Sequence, residues 1–366
     1  VNKGELAVRR IDAFQQRHLV TAFTVGLLKK YGDDNGGALS ARLTFAIFTT
    51  IFPLLLLLVT GLALVLANNP ELRRTVEQSA FSQIPVVGAD LADNIHAIKA
   101  SSAFGFTIGI LGLIYGLNGL AGVGLQIMEQ AWYLPKATWP PYLTRLKRSY
   151  GFIAVLGLGL VVTTFLSTFG AVGGHRVVFR VGSVVVAGVV NAALYLLGFR
   201  VLTPKQVPTR RLWPGAICGG LLWTVLQAFG TFIVNRYLRH ANVVYGTFGT
   251  VIGMIAWFTL AAQLTVYCAE LNALLVHRLW PRGMVQPPLT RADQEMVALQ
   301  ATMNQFRPEA EITVRVRGRP MTEREYLAAG GAVGSDEIGI VRQVPEPGEQ
   351  APAAPGGARG ARDGAA

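Results

Sequence analysis

Charge is what this chain has least of. Asp, Glu, Lys and Arg together make up 15% of its 366 residues, where a soluble globular domain carries about 25%, and that deficit argues against an ordinary soluble enzyme. Acidic groups are scarcest in the apolar part. Residues 1–282 hold 24 basic and 10 acidic side chains, and residues 283–366 hold 9 and 11. There are two cysteines, Cys218 and Cys268. Each lies in an apolar run, with neither CxxC spacing nor a neighbouring His, which argues against a disulfide framework or a zinc site. The five histidines, His18, His96, His175, His240 and His277, are scattered among segments flanking the apolar runs, so no metal cluster or nucleophile–base pair is expected. A GxxxxGKS/T phosphate loop is missing, so nothing points to ATP-driven pumping. No catalytic residue and no cofactor are expected. A cleavable leader is not expected either, because the first long apolar run follows Asp33 and Asp34; membrane insertion would rely on an uncleaved span.

What the chain does have is long charge-free runs. A bilayer core about 30 Å thick takes roughly 20 apolar residues in a helix, since unpaired backbone groups are not tolerated in hydrocarbon. Six windows lack Asp, Glu, Lys and Arg: 43–70, 100–128, 149–175, 181–199, 212–235 and 240–269. They predict an all-α, polytopic integral membrane protein, a bundle of six transmembrane helices spanning about 38–67, 102–128, 149–173, 180–199, 212–235 and 246–275. Pro53 should kink the first helix without ending it, because apolar sequence continues on both sides.

Three regions follow. Residues 1–35 place Ile11, Phe14, Val20, Phe23 and Leu27 at helical spacing among Arg9, Arg10, Arg17, Lys29 and Lys30, the pattern of a basic amphipathic helix lying in the headgroup layer; a solvated helix packed on the bundle fits equally well. Residues 36–282 form the membrane domain. Within it, residues 70–99 make the longest outer loop and read as two short capping helices. Residues 283–366 form a polar cytoplasmic tail with a short strand at 312–316 and a helix start at Thr322, whose last twenty or so residues should be disordered.

Orientation comes from the basic residues. With the N-terminus inside, 17 Lys and Arg of residues 1–282 fall on the cytoplasmic side and 7 on the other, which favours both termini in the cytoplasm. The excess positive charge then faces anionic headgroups. Membrane lipids are the expected partners, a homo-oligomer is compatible with so few spans, and nucleic acid is not expected.

Small residues at four-residue spacing (Gly105 with Gly109, Gly112 with Gly116, Gly215 with Gly219, Gly249 with Gly253) are helix-packing signals. Polar residues at membrane depth are costlier and so better functional pointers. The candidates are Arg42 and Pro53 in span 1, Asn118 in span 2, Asn191 in span 4, Gln227 in span 5, and Glu270 and Asn272 in span 6. Glu270 is the one carboxylate placed clearly inside a predicted helix. It and Arg42 fall towards the same cytoplasmic end and are expected to pair, either as a structural ion pair fixing helix register or as a proton-coupling site.

Several ordered segments resemble the YihY / BrkB membrane protein family: GGALSARLTFAIFTTIFPLLLLL (36–58), RRLWPGAICGGLLW (210–223), YGTFG (245–249), the Trp257 region and CAELNALL (268–275). The resemblance covers about residues 10–280. It implies a six-helix inner-membrane protein with cytoplasmic termini. Members of the family have carried the old label ribonuclease BN, an association with serum resistance, or a suspected role in moving envelope lipids. Cys268 stands where the family usually has Gly, which argues against close helix contact there. The expected function is a permease or translocase of lipids or other envelope components. A non-transporting envelope scaffold is the alternative class, and a membrane-embedded enzyme acting on lipid headgroups a third. Nuclease activity is not expected, because it needs metal-binding carboxylates or an acid and base facing water.

Overall fold

The structure is a computed structural model that describes residues 3–65, 103–172, 177–233, 239–307, 309–310, 312–317, 319–328 and 338–342. Each charge-free window is helical over nearly all of its described residues. The predicted spans correspond to α3 (Gly36–Val65), α4 (Ala103–Ala131), α5 (Tyr142–Val172), α6 (Val177–Leu202), α7 (Trp213–Ile233) and α8 (Arg239–His277). Helix α3 continues through Pro53. Four helical segments among the described residues are long and apolar enough to cross a membrane: Gly36–Leu57, Phe106–Ala131, Gly182–Leu202 and Val251–His277. Only 17–39% of each is buried by protein. Phe45, Tyr115, Val161, Val189, Val225 and Ile252 are all exposed, an apolar belt that water would disfavour and lipid accommodates.

Small residues set the helix crossings. On α4, Gly109, Gly112 and Gly116 lie against Leu57, Pro53 and Thr50 of α3. On α7, Gly219 meets the Tyr195 ring and Gly220 the backbone of Ala192, both on α6. Gly215 of α7 packs against the Cys268 carbonyl and Asn272 of α8. This corrects the expectation that Cys268 prevents close contact: the space is made by the glycine on the facing helix. Helix α8 is the hub, packing on α3, α4 and α7.

The N-terminal region is two helices, not one. Helix α1 (Lys3–Gln15) and α2 (Leu19–Asp33) are separated by a break at Gln16–His18, and α2 packs along α8. The described residues of the tail form helices and a strand pair. Its α9 (Arg291–Met303) opens on a capping box in which Thr290 and Asp293 satisfy each other's backbone N–H. Strand β1 (Val314–Arg317) pairs antiparallel with β2 (Ile338–Arg342), and α10 (Glu323–Ala328) contacts α1. The strand expected at 312–316 and the helix expected near Thr322 thus form within a few residues of those positions. Met296 and Leu299 of α9 share a core with Tyr133, Leu274 and Leu279, flanked by Phe23, Leu27 and Trp280, so the tail is joined to the bundle by apolar burial. The loop at 70–99 and the last twenty residues lie outside the described residues.

The crossings make a paired prediction. A methyl added by Gly220→Ala would collide with the Ala192 backbone, whereas at Gly119 it would meet open space. Gly220→Ala is expected to destabilise the protein by about 1–3 kcal/mol and Gly119→Ala to stabilise it by roughly 0.5–1 kcal/mol. Thermal unfolding of the detergent-solubilised variants checks both signs.

Candidate functional site

A cluster of buried charges lies where α2, α4 and α8 end together. Helix α2 stops at Asp33, and Asn35 takes a left-handed turn (φ 54°) that reverses the chain into α3. That reversal leaves the last turn of α2 against α8. Lys30 is fully buried there, and its Nζ donates to Asp34 Oδ2 at 2.7 Å, to the Ala131 carbonyl at 3.2 Å, and to Glu270 Oε2 in a close contact. The ammonium also lies 4.4 Å from the centre of the Tyr133 ring, a cation–π position.

Tyr133 follows the end of α4 in a second left-handed turn (φ 50°). Its hydroxyl is placed to donate to Asp34 Oδ2 at 3.0 Å or to Met296 Sδ at 2.8 Å. Burial, reinforced by the charges of Asp34 and Glu270, raises its pKa far above the ordinary phenol value, so the hydroxyl keeps its proton and acts as a donor. Gln130 and Gln300 donate to Asp34 from α4 and α9, the first to its carbonyl at 2.6 Å and the second to Oδ1 at 3.4 Å. Two carboxylates therefore face one ammonium, and with all three ionised the cluster holds one net negative charge. Glu270 Oε1 is buried without a hydrogen-bond partner.

The expected Arg42–Glu270 pair does not form. Leu39, Leu43, Ala46 and Thr50 define the inward face of α3. Arg42 is one residue, about 100° of helix rotation, from Leu43 and is exposed; Lys30 occupies the position beside Glu270. Nor is Glu270 the one helical carboxylate among the spans. Helix α4 continues to Ala131, which makes Glu129 helical and fully buried, with Arg145 Nη2 at 3.5 Å from Oε2. Lys30 and Asp34 were missed because lysines at the end of an amphipathic segment look like headgroup anchors. The available signal was their i, i+4 spacing.

The other candidates are dispersed. Asn272 accepts a 2.7 Å hydrogen bond from the Gly215 N–H through Oδ1. It supplies from a neighbouring helix the cap that Leu212, with no side-chain oxygen, does not give to the first turn of α7. Asn191 donates to the Thr224 hydroxyl at 3.1 Å, linking α6 to α7, about 16 Å along α6 from its Leu202 end at 1.5 Å per residue. Asn118 and Gln227 are half-buried on α4 and α7, and Pro53 lies in the α3–α4 contact. Glu270 and Asn272 are thus together at one end of the bundle, and Asn191 lies deeper.

A second polar layer seals this end. Arg282 Nε donates to Asp293 Oδ1 at 2.9 Å and its Nη1 lies 2.7 Å from Asp33 Oδ2. Asp12 Oδ2 accepts from the backbone N–H groups of Met284 and Val285. Burial opposes the charge of Asp293, but the Gly283 N–H, Arg282 and the Thr290 hydroxyl outweigh it and hold its carboxyl below the usual range. Among the described residues, no group of three or more His, Cys, Asp and Glu is arranged to hold a metal ion.

Two predictions follow from these contacts. Lys30→Met leaves Asp34 and Glu270 without their cation and should cost about 3–5 kcal/mol; adding Glu270→Leu should recover part of that loss in thermal unfolding. For Asp293, a carboxylate depressed in the folded state contributes its full stability above the unfolded value of about 3.9 and loses it as pH falls through the folded value. Docking of α9 should therefore be complete at pH 5 and weaken below about pH 4. Asp293→Asn should abolish that acid step and loosen α9 at neutral pH, which hydrogen exchange of the α9 amides measures.

Comparison with known proteins places these features in a wider group. The family model described as virulence factor BrkB matches residues 27–290. The ribonuclease-like protein YfkH of Bacillus subtilis (strain 168) is 22% identical over 271 residues, covering 70% of this chain and 96% of that protein. The inner membrane protein YhjD of Escherichia coli (strain K12) is 22% identical over 296 residues, 74% of this chain and 87% of its own. A protein of Dickeya dadantii (strain 3937), Dda3937_02003, is 24% identical over 263 residues, covering 66% and 79%. No solved structure matches.

Proposed function

We propose, from the premise that this chain belongs to the virulence factor BrkB family, that it is a six-span permease or translocase of lipids or other envelope components in the bacterial inner membrane. That it is a membrane protein with apolar helices follows from its four long apolar segments and its inner-membrane relative. Helices α5 and α7 complete the six spans in this reading, and the 17-to-7 distribution of basic residues supports cytoplasmic termini.

The observation that carries the transport reading is the sealed Lys30–Asp34–Glu270 cluster. Charges removed from water are costly to maintain in a membrane protein and commonly lie on ion or substrate pathways. Here an ammonium shared by two carboxylates joins an N-terminal helix to the last span, and one Glu270 oxygen is still without a partner. A proton or monovalent cation arriving at Glu270 would neutralise the surplus charge, weaken the hold on Lys30 and let α2 part from α8. The cluster is in this reading a cytoplasmic gate, and six spans leave room for a pathway completed by a second copy.

The scaffold reading is favoured by a different observation: the glycine crossings and the tail docked on the bundle describe a closely packed body suited to holding partners. Hydrolysis of RNA is not part of either reading. Glu129 and Glu270 are fully buried against basic side chains, a poor arrangement for an acid or base that must face water.

Reconstitution separates transport from scaffolding. Liposomes holding the wild-type protein are expected to move fluorescent lipids or small solutes faster than empty vesicles, and Glu270→Gln should change the rate and its pH dependence at equal protein level. Unchanged transport with less protein would assign Glu270 to structure alone, and no acceleration of either cargo would remove the transport reading. A C-terminal tag reached by protease outside intact cells would overturn the topology.

A further inference from the structure

Helix α1 carries two kinds of arginine, and the difference between them defines a site. Arg9 is directed inward. Its Nη1 donates to Glu323 Oε1 and to the Pro287 carbonyl, each at 2.9 Å, and its Nη2 reaches Glu5 Oε1 at 3.1 Å. Its guanidinium also lies 4.8 Å from the centre of the Tyr326 ring. Together with the Glu323 N–H, which donates to Gln16 Oε1 at 3.0 Å, these contacts fix α10 on α1 in one register. Glu323 is fully buried, and Arg324, the next residue, is turned outward.

That register opens a cleft of about 340 Å³ lined by Arg10, Ala13, Phe14, Arg17, Arg324 and Leu327. Arg10, Ala13 and Phe14 are spaced i, i+3, i+4 and so share one face of α1, and Arg17 follows in the turn after Gln15. No acidic side chain lines the cleft, and among the described residues none of these three guanidiniums has an ion-pair partner. Three cations line one cleft that offers them no counter-charge, an arrangement that an anion complements. The rest of the lining is apolar: Ala13, Phe14, which is 59% exposed, and Leu327. An anion with an apolar body attached matches both halves of this surface, cations for the phosphate and Phe14 with Leu327 for the glycerol and the first carbons of an acyl chain.

We propose that the α1–α10 cleft is a binding site for the headgroup of an acidic phospholipid from the inner leaflet, and that the bound lipid joins the N-terminal helix to the tail. The proposal uses the membrane placement and cytoplasmic termini of the preceding reading and is independent of transport. A free phosphate shares the headgroup's charge but leaves the apolar rim uncovered, so the lipid is the occupant chosen.

The test uses the full chain purified in detergent and given phosphatidylglycerol and phosphatidylcholine in equal amounts, with the retained lipids counted by native mass spectrometry. Wild type should retain phosphatidylglycerol over phosphatidylcholine by roughly a hundredfold, about fivefold for each of three arginines, and Arg10→Gln/Arg17→Gln/Arg324→Gln should abolish that preference. Arg210→Gln/Arg211→Gln, which removes two exposed arginines elsewhere, should leave it intact. Arg324→Gln alone should reduce it severalfold and provides the reading if the triple variant folds poorly. An undiminished preference in these cleft variants overturns the site. Complete displacement of the lipid by inorganic phosphate at matched concentration overturns the lipid as its occupant. A topology failure is distinguishable, because it is read separately from the accessibility of the C-terminal tag.

Discussion

An ammonium group enclosed by protein has to be met by carboxylate, carbonyl or aromatic face, because enclosure cuts it off from the bulk water that would otherwise complete its shell. Lys30 imposes that requirement on this fold. Its partners come from the turn after α2, the end of α4 and the middle of the last turns of α8, while the tail helix α9 closes over Tyr133 and Asp34. No one of these segments can shift far without exposing or abandoning the charge. The relative placement of the N-terminal helices, two membrane helices and the tail is therefore one problem with one shared solution.

Away from that cluster the forces are different. Lipid tails are as apolar as leucine, so the long helices gain little by hiding apolar surface from one another and instead associate through close backbone approach. Gly109, Gly112 and Gly116 on α4, and Gly215, Gly219 and Gly220 on α7, allow that approach. The protein thus has two regimes: small-residue crossings along the apolar length, and buried ion pairs with capped helix ends where the chain leaves the lipid.

The first regime was legible in the sequence and the second largely was not. Charge-free windows locate the six long helices among the described residues because hydrocarbon forbids charge over a fixed length, a rule that acts locally. Glu129 was lost to the same rule, since a window ends at its first charge although the helix continues to Ala131. Lys30 and Asp34 required knowing that Asn35 reverses the chain, and Arg42 was assigned to Glu270 from depth alone, which fixes the level of a residue but not the face of the helix that carries it. Asn272 stands out in the sequence as a polar residue in an apolar run. What it does, capping a helix 57 positions away in sequence, depends on a tertiary contact.

That cap has a mechanical consequence. Glu270 and Asn272 are two residues apart on α8, so they project on opposite flanks of the same cylinder: one grips Lys30 of α2, the other the first turn of α7. Any twist of α8 about its own axis that slackens the first grip must also pull on the second. The last membrane helix is built as an axle, and torque applied at either flank is delivered to the other.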